Sequence, residues 1–331
     1  MRATEYSEYG TPAEVVTCID VDDPGPPGSG EAILEIVASP INPSDLLRIQ
    51  GAYGTSPGSL PARAGSQGLG RVVEAGPDVD NVSAGDLVPV HVFFTGGGTW
   101  AERLKCPAAV LTPLPEADPL QLAMLPVNPP TAALMLSDFV TLAPGDWVIQ
   151  NAANSTVGHY LTQLAAAQGL RTIDVVRREG AVAGVREAGA EHVLVSGPDL
   201  PERVAEITGG ELPRLAIDAV AGDDTERLAS SVAEGGTVVN YGLLSGEACR
   251  IHPRDIVFRR VNLDGFWMQT YFQEAPREQL HGLYAKLARL IADGRLHIPV
   301  AATYGLDAIG EALAHAASGG RDGKVFVTPQ A

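Results

Sequence analysis

The chain has 331 residues, 45% of them hydrophobic and 19% charged, a composition that excludes extended disorder and allows two domains or one large α/β unit. Its formal net charge of -17 repels phosphate backbones and anionic membranes, and no run of Lys and Arg offsets it locally, so neither nucleic acid nor lipid is an expected partner. Anionic cofactors stay open, because a few arginines and a helix N-terminus act over short range.

Cys18, Cys106 and Cys249 lie far apart and form no Cys-x-x-Cys pair, so neither a disulfide framework nor a structural zinc lobe is expected. The start, Met1-Arg-Ala-Thr-Glu-Tyr6, has neither an apolar signal core nor the Arg/Ser-rich character of a transit peptide, and no apolar run reaches about 18 residues. The expected location is the cytoplasm.

Along the first 120 or so residues, short β-like runs at Ala32 to Ala38, Gly70 to Ala75 and Asp86 to Val92 alternate with turn-rich segments such as Asp22 to Gly30. This part reads as mostly β. Within it stands Ser39-Pro-Ile-Asn-Pro-Ser-Asp-Leu-Leu-Arg-Ile-Gln-Gly-Ala-Tyr53-Gly, where Gly51 and Gly54 flank a tyrosine and favour an exposed loop. Asp45 is placed to cap or orient that segment. Tyr53 is either a packing residue or a phenol available for proton transfer.

From Trp147 the rhythm becomes strand, helix, strand: Trp147 to Gln150, Thr172 to Val176, His192 to Val195, Leu215 to Val220, Thr237 to Tyr241 and Val261 to Phe266. Such alternation predicts a parallel sheet covered on both faces. Leu161, Leu164, Ala165 and Gln168 share one side of the first of these helices, and Gly169 sits at its C-cap. A long helix is predicted over Arg277 to Asp293, followed by a last strand ending Gly323-Lys-Val-Phe-Val327.

The turn Asn151-Ala-Ala-Asn-Ser-Thr-Val-Gly158 lies where a dinucleotide fold needs close backbone approach and free N–H groups at a helix start. The glycine pattern is sparse, with Gly158 alone. Asn154 can take a left-handed conformation, the hydroxyls of Ser155 and Thr156 can donate to phosphate, and Val157 lies between them and Gly158. About twenty residues on, the second strand ends Val175-Val-Arg-Arg-Glu179, where an NAD enzyme places a ribose-binding acid. Arg177 and Arg178 suit a 2′-phosphate instead, so NADPH is the expected cofactor. Asp174 lies inside the strand, where a local hydrogen-bonding role is expected.

The Asn42-Pro-Ser-Asp45 to Tyr53 segment, together with Val127-Asn-Pro-Pro-Thr-Ala132, Asn240-Tyr-Gly-Leu-Leu244 and Gly265-Phe-Trp-Met-Gln269, resembles the zinc-free branch of the medium-chain dehydrogenase/reductase superfamily. Within it the chain is similar to the enoyl thioester reductases of the mitochondrial trans-2-enoyl-CoA reductase type, over nearly the whole length. The resemblance implies a doubly wound α/β Rossmann domain over residues 122–271 and a mostly β, GroES-like catalytic domain over 1–121 and 272–331. It makes Tyr53 the proton donor. Asn128 and Thr131 would lie near the nicotinamide end, Tyr241, Gly242, Phe266 and Trp267 along the nicotinamide and substrate cleft, and Lys324 near the cofactor. The resembled reductases show a glycine in place of Thr156, whose β-branch would crowd the pyrophosphate. A homodimer through the Val261 to Phe266 edge is implied as well, an uncovered edge being a liability.

Zinc alcohol dehydrogenases carry a cysteine near Asn42 to Asp45 and Gly-His-Glu near Gly65, whereas here those places read Asn-Pro-Ser-Asp and Gly65-Ser-Gln67. The histidines at 91, 159, 192, 252, 281, 297 and 315 show no ligand spacing, so no metal is expected. Without a Lewis acid, a double bond conjugated to a thioester accepts hydride at C3, and the proton reaches C2 from Tyr53 or water. The expected activity is NADPH-dependent reduction of an enoyl-CoA or enoyl-carrier thioester. A zinc-free quinone or enone reductase is the alternative, and an NADPH-binding protein without catalysis is the alternative outside enzymes.

Overall fold

The computed structural model describes residues 1–54 and 59–331. They form two compact units, one from Met1–Val127 with Phe272–Ala331 and one from Asn128–Tyr271. Among the described residues no helix is long and apolar enough to cross a membrane.

In the Asn128–Tyr271 unit the six apolar runs are six parallel strands: Trp147–Gln150, Arg171–Val176, His192–Val195, Leu215–Asp218, Thr237–Asn240 and Asn262–Gly265. Counted in that sequence they lie side by side as 3-2-1-4-5-6, so the winding direction reverses between strands one and four. Ligands of such sheets bind at the carboxyl ends of the strands beside this switch point. Successive side chains of strand two feed different clusters, Ile173 and Val175 with Leu200, Val204 and Leu228, and Val176 with Ala153 and Val185. Apolar layers therefore cover both faces, which explains the β-branched composition of these strands.

The first helix of the unit after strand one spans Thr156–Ala167, with Ser155 as N-cap. It closes at Gln168 and Gly169, the glycine at φ 72°, the left-handed value that favours glycine at this position. Strand six differs from the others, because all four of its residues are exposed. Next to it stand Ile256, Val257 and Phe258, exposed by 51%, 63% and 77%. An edge strand with large apolar side chains exposed nearby is a liability in a sheet.

The other unit is centred on the strand Glu31–Pro40, which pairs antiparallel with Gln67–Ala75 and Arg103–Pro107. Leu87–His91 extends the sheet beyond Gln67–Ala75. At the far end of the central strand, Lys324–Val327 pairs antiparallel with Ser39 and Pro40, and Val300–Tyr304 runs parallel to it. The chain thus returns after some 280 residues to lie beside the start of the tyrosine segment. A smaller sheet combines Thr17–Asp20, Arg2–Tyr6 and Ala62–Arg63. Tyr6, Ile41, Ile49, Trp100, Leu313 and Val325 share one buried cluster, so the segment from Ile41 to Ile49 is packed on its apolar side by the last strand and the helix Ile309–Ala317.

Candidate functional site

In the β-rich unit, Asn42 and Asp45 form a capping box around the helix Pro43–Ile49, with Pro at its first position where the missing N–H costs nothing. The Asn42 N–H donates to Asp45 Oδ2 at 2.8 Å, and Ser66 hydrogen-bonds the same carboxyl. Both Asn42 and Asp45 are buried. From 282 residues away Lys324 Nζ donates to Asn42 Oδ1 at 2.5 Å. Burial pushes the Asp45 carboxyl above its usual range, opposed by the Ser66 hydrogen bond. The lysine is 3% exposed, and burial pushes its ammonium down to about 7 from 10.5, against the attraction of Asp45.

The helix leads directly into the tyrosine. Ala52 N–H donates to Leu47 O at 2.8 Å and Gly51 N–H to Arg48 O at 3.1 Å, and Gly51 turns the chain at φ 72° with the ring of Tyr9 packed against it. A Cβ at Gly51 would come within 3.0 Å of that ring, so both conformation and space require glycine there. Tyr53 follows, half-buried, with the Arg48 guanidinium over its ring at 5.2 Å from the centroid. Asp45 caps this segment, as expected. Lys324, expected at the cofactor, has its hydrogen bond to Asn42 within this unit.

The linkage of Lys324 sets a testable sign. A lysine whose folded value is depressed contributes stability above its unfolded value, and that stability is lost as the pH falls toward the folded one. Relative to Lys324→Met, the wild-type protein is therefore expected to lose stability as the pH is lowered from about 10.5 to about 7 and to lose no more below. Urea midpoints of both proteins across that window check this; a constant difference would contradict it.

His91 belongs to the same unit as Tyr53. Its ring packs on Phe272 at 4.6 Å and Phe94 at 6.4 Å between centroids, its Nδ1 accepts from Phe93 N–H, and burial pushes it down to about 3. It stays neutral at physiological pH. The adjoining cavity, lined by Phe94, Arg277, His281 and Tyr284 among others, holds about 20 Å³, room for a single water.

In the Rossmann-like unit the expected phosphate turn sits at the carboxyl end of strand one. Ser155 Oγ accepts from Gly158 N–H at 3.1 Å, and the N–H groups of Thr156 and Val157 occupy the first helical turn, where no intrahelical acceptor exists. A Cβ at Gly158 would stand 2.6 Å from Ala153 O, which is why this glycine survives when the others are absent. The left-handed residue of the turn is Ala152, at φ 47°, and not Asn154, which is exposed. The reversal needed for close approach has moved two residues toward the strand.

Arg177 and Arg178 are exposed at the end of strand two, and neither forms an ion pair among the described residues. Asp174, inside that strand, accepts from Gln150 Nε2 at 2.5 Å, Thr162 Oγ1 at 2.7 Å and Thr172 Oγ1 at 2.6 Å. It ties helix to sheet, and it is buried inside the strand with these three donors around it. Tyr241, after strand five, hydrogen-bonds Ser155, and burial pushes its phenol up to about 12. Gly242 follows with no room for a Cβ, which would meet Ala219 O at 2.6 Å. The structure thus joins the Ser155 and Tyr241 segments, predicted separately.

Asp218, at the end of strand four, organises this region and was not singled out from the sequence. Its carboxylate accepts from Asn151 Nδ2 at 2.6 Å, Val220 and Ala221 N–H at 2.9 and 3.0 Å, Thr225 Oγ1 at 2.6 Å and Asn240 Nδ2 at 3.2 Å. Three strand ends are held in one network, which fixes the floor on which the turn rests. Asn128 and Thr131 are buried on the helix Asn128–Ser137. Phe266 packs edge-on against Phe139 at 6.3 Å, and Trp267 is 38% exposed.

Among the described residues no group of three His, Cys, Asp or Glu is placed to hold a metal. The family model "Alcohol dehydrogenase GroES-like domain" matches residues 28–116 and "Zinc-binding dehydrogenase" matches 156–286. The chain is 37% identical over 306 residues to the human mitochondrial enoyl-[acyl-carrier-protein] reductase, covering 90% of this chain and 81% of the relative. Its fold is similar to a putative NADPH:quinone reductase from Bacillus thuringiensis, with TM-score 0.89, 29% identity and coverage of 99% and 98%. It is likewise similar to the complex of Etr1p with NADP and crotonyl-CoA, with TM-score 0.87, 26% identity and coverage of 99% of both chains.

Proposed function

This chain belongs to the family of the enoyl-[acyl-carrier-protein] reductases within the medium-chain dehydrogenase/reductase superfamily, and on that premise we propose that it reduces the 2,3 double bond of an enoyl thioester with NADPH. The observation that carries the reading is the Asn42–Asp45 capping box, which occupies the place of a metal-binding cysteine and holds the helix that ends in Tyr53.

When bound, NADPH supplies the hydride that reduces C3. The residues fit it: the turn closed by Ser155 and Gly158 leaves helix-start N–H groups for the pyrophosphate, and the unpaired Arg177 and Arg178 suit the 2′-phosphate. Asn154, Thr156 and Val157 complete the turn. Asn128, Thr131, Tyr241, Gly242, Phe266 and Trp267 are assigned to the nicotinamide side, and Lys324 acts through Asn42. Tyr53 gives its phenolic proton to C2 as charge accumulates on the thioester enolate, and water restores it.

A quinone or enone reductase is favoured by one observation, Thr156 in a turn where the resembled enoyl reductases have glycine. Crotonyl-CoA and a small quinone, each assayed with NADPH and with NADH, decide between them. Turnover of the quinone alone would refute the thioester reading.

A homodimer through strand six accounts for the exposed edge, with Leu263 on it, and for the exposed Ile256, Val257 and Phe258 that precede it in the chain. Phe258→Asp is expected to halve the mass seen by light scattering at micromolar protein, since a buried charge without a partner in an interface costs several kcal/mol. An unchanged mass would place the interface elsewhere. The three free thiols are the support for a cytoplasmic location, which cell fractionation tests.

A further inference from the structure

The Arg48 guanidinium has no part in the reading above, although it stands over the ring of the proposed proton donor. It lies on the last turn of Pro43–Ile49, half-buried, and forms no ion pair among the described residues. The capping box and Lys324 fix the first turn of the same helix, so the cation and the phenol are held in one short, closed segment. Its charge reaches Asp45 and lowers that carboxyl's value. A helix of this length also gains from a cation near its carboxyl end, which is the purely structural account of Arg48.

We propose that Arg48 is a positioning residue that favours the phenolate form of Tyr53 left by proton donation, an inference that rests on the enoyl reductase reading. When the phenol O–H breaks and the C2–H bond forms, the electron pair stays on the phenol oxygen and spreads into the ring. The neutral ring presents only its quadrupole to Arg48, whereas the phenolate presents a full negative charge. The guanidinium therefore attracts the product of proton transfer more strongly than the reactant, which is the condition for lowering the barrier. A proton from water then returns the phenol, and one NADPH and one proton are consumed per double bond reduced.

The test uses the full chain with crotonyl-CoA and NADPH. For Arg48→Met, kcat is expected to fall about tenfold, equivalent to about 1.4 kcal/mol, with KM within about twofold of wild type. Arg48→Lys, which keeps a cation there, is expected to recover most of the loss. The decisive comparison is Arg48→Met made in Tyr53→Phe, where the ring persists and no phenolate forms. That double variant is expected to turn over no more slowly than Tyr53→Phe alone. A further tenfold loss in the double variant, or a loss confined to KM as for an anchor of the substrate's phosphates, would overturn the proposal. Circular dichroism and NADPH fluorescence of each variant separate these results from misfolding. If wild type fails to reduce crotonyl-CoA, the enoyl reductase reading fails and this proposal with it; if Tyr53→Phe turns over as fast as wild type, that reading stands and the proposal alone is overturned.

Discussion

Tyr53→Phe is expected to lower kcat for enoyl thioester reduction by roughly 10²- to 10³-fold, the usual loss when a positioned general acid is removed, while the affinity for NADPH stays unchanged. The size of the loss reflects how three other titratable groups of the same unit are held. His91 is held neutral by its aromatic surroundings, at about 3. Cys106 is buried, with its thiol pushed up to about 12. Lys324 is sealed with Asn42. Water then carries the residual rate. The affinity is unaffected because the groups assigned to the cofactor's phosphates, Ser155, Gly158, Arg177 and Arg178, belong to the other unit. Steady-state oxidation of NADPH with crotonyl-CoA, alongside fluorescence titration of NADPH, measures both quantities. Turnover within threefold of wild type would remove Tyr53 from the mechanism.

The parallel sheet was legible because its strands are short apolar runs at regular intervals, and each observed strand begins or ends within a residue or two of the run that announced it: Thr172 to Val176 against Arg171–Val176, Val261 to Phe266 against Asn262–Gly265. Gly169 was legible for the same local reason, a positive φ at a helix end. What sequence reading missed depends on partners distant along the chain. Asp218 looks like any acid at a strand end until the fold delivers Asn151, Thr225 and Asn240 to it. Lys324 has no local signal for Asn42, since their hydrogen bond spans 282 residues.

The phosphate turn shows a different kind of miss. Asn154 is a residue that can take the left-handed conformation, on the intrinsic tolerance of asparagine. The turn places that strain at Ala152 instead, where Ser155 N–H donates to Ala152 O and Ala153 N–H to Val175 O. Two backbone hydrogen bonds over-determine the conformation of a residue that would not choose it. Asn154 is thereby left exposed, with its amide free to meet a ligand rather than occupied in shaping the loop.

The pair at the end of strand two yields the second large effect. Arg177→Ser with Arg178→Ser is expected to weaken NADPH binding about 100-fold and to leave NADH binding within about threefold. Charge-assisted hydrogen bonds are worth about 1.5 to 3 kcal/mol each when well formed, and the exposure of both guanidiniums calls for the lower figure, so that two together give about 3 kcal/mol, or about two decades. The expectation falls on this pair because the other candidate for ribose recognition is already engaged: Asp174 accepts from Gln150, Thr162 and Thr172 and is buried. Removing the arginines therefore erases discrimination without creating an NADH site, and only an acid introduced at 177 would reverse it. Fluorescence titration with both nucleotides at two salt concentrations distinguishes the cases, since a phosphate contact loses strength with salt. Equal weakening of NADPH and NADH would mean that the pair supports the turn generally and that the 2′-phosphate is recognised by other residues.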